Sequence, residues 1–169
     1  MDIEVELHRP RSSGWPQTIV DHIGNDPERF ASLMLVLERG DFVTKQRAAW
    51  PMSIIAERNP GLAEPYLSKL VDLLWRNDVH DAVKRSVLRS LQFVELPTRL
   101  KGKVFSHCID LIADPREPIA VRCFAVTAAS RIASGRKELM RELKLVSEMQ
   151  LEHSSAGLKV RIRRLLTGK

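Results

Sequence analysis

Apolar positions along this chain repeat at two scales. Within segments they fall at helical spacing, and the segments themselves return after just under forty residues. Val121-Arg122-x-x-Ala125-x-x-Ala128-Ala129-x-x-Ile132 sets the pattern. Val83-Lys84-x-x-Val87-x-x-Ser90-Leu91-x-x-Val94 matches it, as does Thr44-Lys45-x-x-Ala48-x-x-Pro51-Met52-x-x-Ile55. The last copy is Leu158-Lys159-x-x-Ile162-x-x-Leu165-Leu166. The starts at 44, 83, 121 and 158 are separated by 39, 38 and 37 residues. A fixed period of roughly 20–50 residues marks stacked supersecondary units, none of which can bury its apolar face alone.

The segments between these copies read as partner helices. Asp26-Pro27-Glu28 supplies a cap, a proline at the first helical position and an acid in the first turn, so a helix is predicted to Arg39. It carries Phe30, Leu33, Met34 and Leu37 on one face, with Gly40 as its stop. Further helices are predicted over 62–76, from Pro97 through Ile112, and over 136–151, the last burying Leu139, Leu143 and Val146. Asp78-x-x-Asp81 and Asp114-Pro115-Arg116-Glu117 read as caps for the second and third copies, and Ser154-Ser155 starts the fourth. Trp15-Pro16 opens a short helix to Ile23. Pro51, inside its helix, removes a backbone hydrogen bond and predicts a kink.

Residues 1–13 read differently. Ile3, Val5 and Leu7 alternate with Asp2, Glu4, Glu6 and His8, a period of two that predicts an extended strand. Having no sheet to join, it is expected to be a flexible or extended arm, or to add to a partner's edge. The organisation expected is this arm followed by one domain over 14–169, with repeats at about 26–58, 59–95, 96–134 and 135–168.

The B-helix motifs at 83–91 and 121–129 resemble the HEAT-repeat family, including its HEAT-like bacterial members, over about residues 26–166. The resemblance implies an all-α fold, an α-solenoid forming a right-handed superhelix of about four HEAT-like helical hairpins. It also implies a non-enzymatic scaffold or interaction module that grips a partner on the concave B-helix face. Thr44, where an aliphatic residue is usual, is a departure in the first copy.

Charge sharpens the expectation about the partner. Residues 1–84 hold 10 Lys/Arg and 13 Asp/Glu, whereas residues 85–169 hold 17 and 8, net −3 and +9. The position after each motif start is Lys45, Lys84, Arg122 or Lys159, cationic in every copy although only 27 of 169 residues are Lys or Arg. Two readings stay open: a ladder bonding acids or carbonyls of the neighbouring repeat inside the stack, or a binding surface for an anion. Candidate partner-binding residues are Lys45, Arg47, Lys84, Arg85, Arg89, Arg122, Lys159, Arg161, Arg163 and Arg164. A protein partner with an acidic surface is the leading expectation. The alternative is nucleic-acid backbone, where neutralised phosphates release counterions, in the manner of HEAT-like DNA glycosylases that remove alkylated bases. Trp15, Trp50 and Trp75 are read as packing residues, leaving few aromatics for stacking on single strands.

No catalytic, cofactor or metal motif is visible. The five histidines lack ligand spacing, and His107 and Cys108 are adjacent on a helix and so cannot face one another. Cys108 and Cys123 read as free thiols of a reducing, cytoplasmic setting. No apolar run approaches the ~18 residues of a membrane span. Self-association through uncovered stacking faces at the two ends is the remaining expectation.

Overall fold

The computed structural model describes residues 1–10 and 14–168. It is 77% helical, and no strand occurs among the described residues. Two compact units emerge, Met1–Glu95 and Leu96–Lys169, where the sequence suggests a single domain from residue 14. The break coincides with the expected boundary between the second and third repeats.

The first unit begins with a correction. Ile3–His8 is a helix, α1, and not an extended segment. Ile3 and Leu7 belong equally to a period of two and to an i, i+4 helical pair. Local capping decides between them: Asp2 Oδ1 accepts from the backbone N–H groups of Glu4 (2.9 Å) and Val5 (3.2 Å). Ile3 and Leu7 are buried and Val5 points outward. The rest of the expected arm, residues 11–13, lies outside the described residues.

Helices α2 (Trp15–Ile23), α3 (Pro27–Arg39) and α4 (Phe42–Arg58) follow the sequence signals closely. Asp26 caps α3 and buries Phe30, Leu33, Met34 and Leu37 beneath it. Asp41 caps α4, which runs on through Pro51 and buries Ala48, Met52 and Ile55. The α1, α2 and α3 helices all pack on α4.

The predicted helix over 62–76 is broken instead. It consists of α5 (Pro60–Ala63), a 3-10 turn at Glu64–Tyr66, α6 (Leu67–Asp72) and a second 3-10 turn at Leu73–Trp75. Pro65 lies inside the segment; it has no N–H to donate and its ring crowds the carbonyl four residues back. Helix α7 (Asp81–Ser90) packs beside α4. Its cap is His80, whose Nδ1 accepts from the Ala82 N–H at 3.0 Å. Asp78, expected to cap it, is held by Arg76.

In the second unit α8 (Thr98–Ala113) and α9 (Ile119–Ala133) form one hairpin, and α10 (Lys137–Met149) and α11 (Ala156–Thr167) form the next. Pro118 occupies the N-cap of α9; Asp114 stabilises the preceding turn by accepting from the Arg116 N–H at 2.9 Å. Helix α8 buries Val104, Phe105, Cys108, Leu111 and Ile112, and α9 buries Val121, Ala125, Ala128 and Ala129 against it. Alanine at these points lets the helix axes approach closely. Helix α10 differs: Leu143 and Ser147 are buried, whereas Leu139 and Val146 are only half-buried.

Candidate functional site

The cations that recur in each repeat have different surroundings. Arg122 is 6% exposed. Its Nε and Nη2 donate to the Ile112 carbonyl at 3.2 and 2.9 Å, and Nη2 also donates to Gln150 Oε1 at 3.0 Å. Ile112 lies in the last turn of α8, whose carbonyls have no intrahelical partner, and Gln150 is the C-cap of α10. The guanidinium therefore sits where two helix ends present negative charge. It also lies in the field of Asp114, whose carboxyl is held at about 2, first by its hydrogen bonds with the Arg116 side chain and backbone, and in part by Arg122.

Lys45 in the first unit is likewise buried. Its charge helps hold the Asp78 carboxyl low, at about 2, although the main cause there is the hydrogen bond from Arg76. At these two buried positions the contacts are those of a ladder inside the fold, one of the two readings the sequence left open. Lys84 and Lys159 are half-buried.

Other candidates serve as local fasteners. Arg47 Nη1 donates to the carbonyls of Leu7 (2.6 Å) and Arg9 (3.2 Å), pinning the end of α1 to α4. His8 Nε2 lies 3.2 Å from Thr44 Oγ1, so the polar residue that departs from the repeat pattern receives the N-terminal helix. Arg89 donates to Ser53 O at 3.0 Å, pairs with Glu57 and lies 5.6 Å from the centre of the Phe93 ring. Arg85 is exposed on α7.

The second unit contains a basic groove between α9, α10 and α11. Its volume is about 510 Å³, and its walls are Val126, Thr127, Ser130, Arg131, Met140, Lys144, Arg161, Arg164, Leu165 and Gly168. Four of these side chains are cationic, and no carboxylate is found among them. Arg161 is aimed across the floor by its bond to Thr127 Oγ1 at 2.8 Å, and Thr127 in turn donates to Cys123 O at 3.3 Å. Arg164, one turn further along α11, is exposed, as is its neighbour Arg163. Like charges gathered on walls of low polarity focus a positive potential into the groove. Val126, Met140 and Leu165 give it an apolar side.

Sequence reasoning found Arg161 and Arg164 but missed Arg131 and Lys144. Arg131 stands one helical turn beyond Thr127, and that i, i+4 relation was available. Lys144 lies on a helix outside the repeated motif, so only the packing of α10 on α9 brings it in. Trp50 was read as packing, yet it is 49% exposed, with its ring edge-on to Trp15 at 6.1 Å between centroids.

The thiols offer no nucleophile. Burial pushes Cys108 up to about 12 and also raises Cys123. Among the described residues no cluster of His, Cys, Asp and Glu is placed to hold a metal ion. Nor is any helix among them long and apolar enough to cross a membrane.

Helical hairpins with a conserved spacing, in two units, match the family model for the HEAT repeat domain over residues 3–169. The chain belongs to the HEAT-repeat family. No curated protein and no solved structure matches it. As a HEAT-repeat domain it has the architecture of a repeat-based interaction module.

Proposed function

We propose that this HEAT-repeat protein is a non-enzymatic interaction module whose basic groove between α9 and α11 holds an acidic, amphipathic segment of a protein partner. The observation that carries this is the groove's composition. Arg131, Lys144, Arg161 and Arg164 face a lining that otherwise contains Val126, Met140 and Leu165, with no acid among them. Carboxylates on a partner would meet guanidinium groups able to bond them in pairs, while its apolar side chains would cover the groove's apolar wall. Pre-aiming of Arg161 by Thr127 lowers the ordering cost of binding. Nucleic-acid surfaces, in contrast, are met by interfaces that are more polar throughout, and no aromatic platform lines this groove.

The test is fluorescence anisotropy with a labelled peptide of alternating glutamate and leucine, beside a labelled ~25-mer duplex. Peptide binding should weaken with added salt. It should fall roughly tenfold in the Arg161→Gln/Arg164→Glu double variant, equivalent to about 1.4 kcal/mol, while the melting temperature holds. Binding of the duplex with a steep salt dependence, and no response to the peptide, would overturn the reading.

A further inference from the structure

We propose that this chain associates head to tail with a second copy of itself, the basic outer face of α10 docking on the acidic face formed by α1 and α3. This goes beyond the groove reading and does not rest on it.

The first observation is an apolar face without cover. Leu145 and Met149 are 60% and 70% exposed, on the side of α10 opposite the buried Leu143. In the same unit α8 buries five large or medium apolar side chains, whereas α10 buries Leu143 alone besides Ser147. A helix in a stacked array is meant to be covered on both sides, and an array normally ends in a polar outer face. Here the outer face is apolar. Beside it lies an open depression of about 790 Å³ whose lining includes Arg136, Lys137, Arg141 and Lys144, against a single acid, Glu148.

The second observation is a matching face on the first unit. Met1, Val5 and Leu35 are each about half exposed on α1 and α3 (51%, 54% and 48%). The depression there, about 500 Å³, includes Asp2 and Glu4; its one arginine, Arg29, is already paired with Asp26 at 3.2 Å.

Charge identifies the occupant. Residues 1–41 hold 4 Lys/Arg and 8 Asp/Glu, net −4, and residues 136–169 hold 9 and 4, net +5. Two faces of the same chain thus carry uncovered apolar side chains and opposite charge. Attraction of opposite potentials steers association, and burial of Leu145 and Met149 against Val5 and Leu35 removes apolar surface from water. Because the two faces differ, the contact is heterologous: each added copy presents another unused face, and growth continues until a ring closes.

Sedimentation velocity on the full chain tests this with two variants at exposed positions, Leu145→Asp and Val5→Asp, their folding checked by circular dichroism. The wild-type average mass should rise above the 19.2 kDa of one chain as protein concentration increases, and added salt should reverse the rise. Each variant alone should stay monomeric. Mixed, they should form a dimer and stop, since Leu145→Asp keeps the α1/α3 face and Val5→Asp keeps the α10 face. A wild-type chain monomeric at every concentration would overturn the proposal. So would association that persists in either variant, or a mixture that remains monomeric. Arg161 and Arg164 are intact in both variants, so peptide binding can be scored separately.

Discussion

Replacing Arg122 with methionine tests what the repeated cation is for. In the structure this side chain makes three charge-assisted contacts to two acceptors, the Ile112 carbonyl and Gln150 Oε1. Methionine fills much of the space but donates nothing. Ile112 O then becomes an unsatisfied carbonyl in the last turn of α8, which costs about 1–3 kcal/mol when buried. The helix ends also lose a nearby cation, worth up to about 2 kcal/mol in partly buried settings. Against this, removing a buried charge relieves its desolvation penalty, so the full sum is not realised. A net loss of about 2 kcal/mol remains. For a chain of this size each kcal/mol lowers Tm by roughly 2–4 °C, so the melt should move down by roughly 4–8 °C. Arg122→Lys should fall between, because an ammonium can reach one acceptor but cannot fork between two. Arg163→Met, at an exposed site, should stay within about 0.5 kcal/mol of wild type. Thermal unfolding by far-UV circular dichroism reads all three. An Arg122→Met melt that coincides with wild type would refute the view that this column is structural.

Two further outcomes follow from the same coordinates. Leu7→Ala should destabilise the first unit by about 3 kcal/mol, the usual cost of deleting a buried leucine, whereas Val5→Ala should be nearly silent; denaturant melts that show equal, small effects would mean that α1 does not dock. Tm should also fall as pH drops from about 4 toward 2, the window between an ordinary carboxyl and the lowered Asp114 carboxyl. A depressed carboxyl contributes stability above its unfolded pKa and loses it as pH falls through the folded one. Asp114→Asn should flatten that part of the profile, and an unchanged profile would count against the Asp114–Arg116 contact.

What was readable in the sequence follows from what each signal depends on. The repeat motifs placed α4, α7, α9 and α11 because apolar spacing and short-range capping are both local, as at Asp26 and Asp41. Failure came where two local rules agreed with the same residues. Ile3 and Leu7 fit a strand and a helix alike, and only the docking of α1 on α3 and α4 breaks the tie. Asp78 fit a capping box, but the adjacent Arg76 binds its carboxylate more strongly than a backbone N–H would, leaving His80 to cap α7. The groove was half legible for a related reason. Arg161 and Arg164 sit on a repeated helix and attract notice, whereas Arg131 and Lys144 join them only through the packing of three helices.

Burial separates the cations of this chain into two kinds. Arg122 and Lys45 are buried beside helix ends or a neighbouring carboxylate, and a charge so placed is costly to move. Arg164 and Lys144 line an open groove without an acid beside them, where mutual repulsion raises the energy of the unbound surface. An acidic ligand relieves that repulsion, while it gains nothing from a cation already satisfied by a carbonyl. Selection for a cation at one repeat position is therefore compatible with no role in binding at all. In the second unit, the surface suited to a partner lies in the groove to one side of Arg122, at side chains that the repeat itself does not dictate.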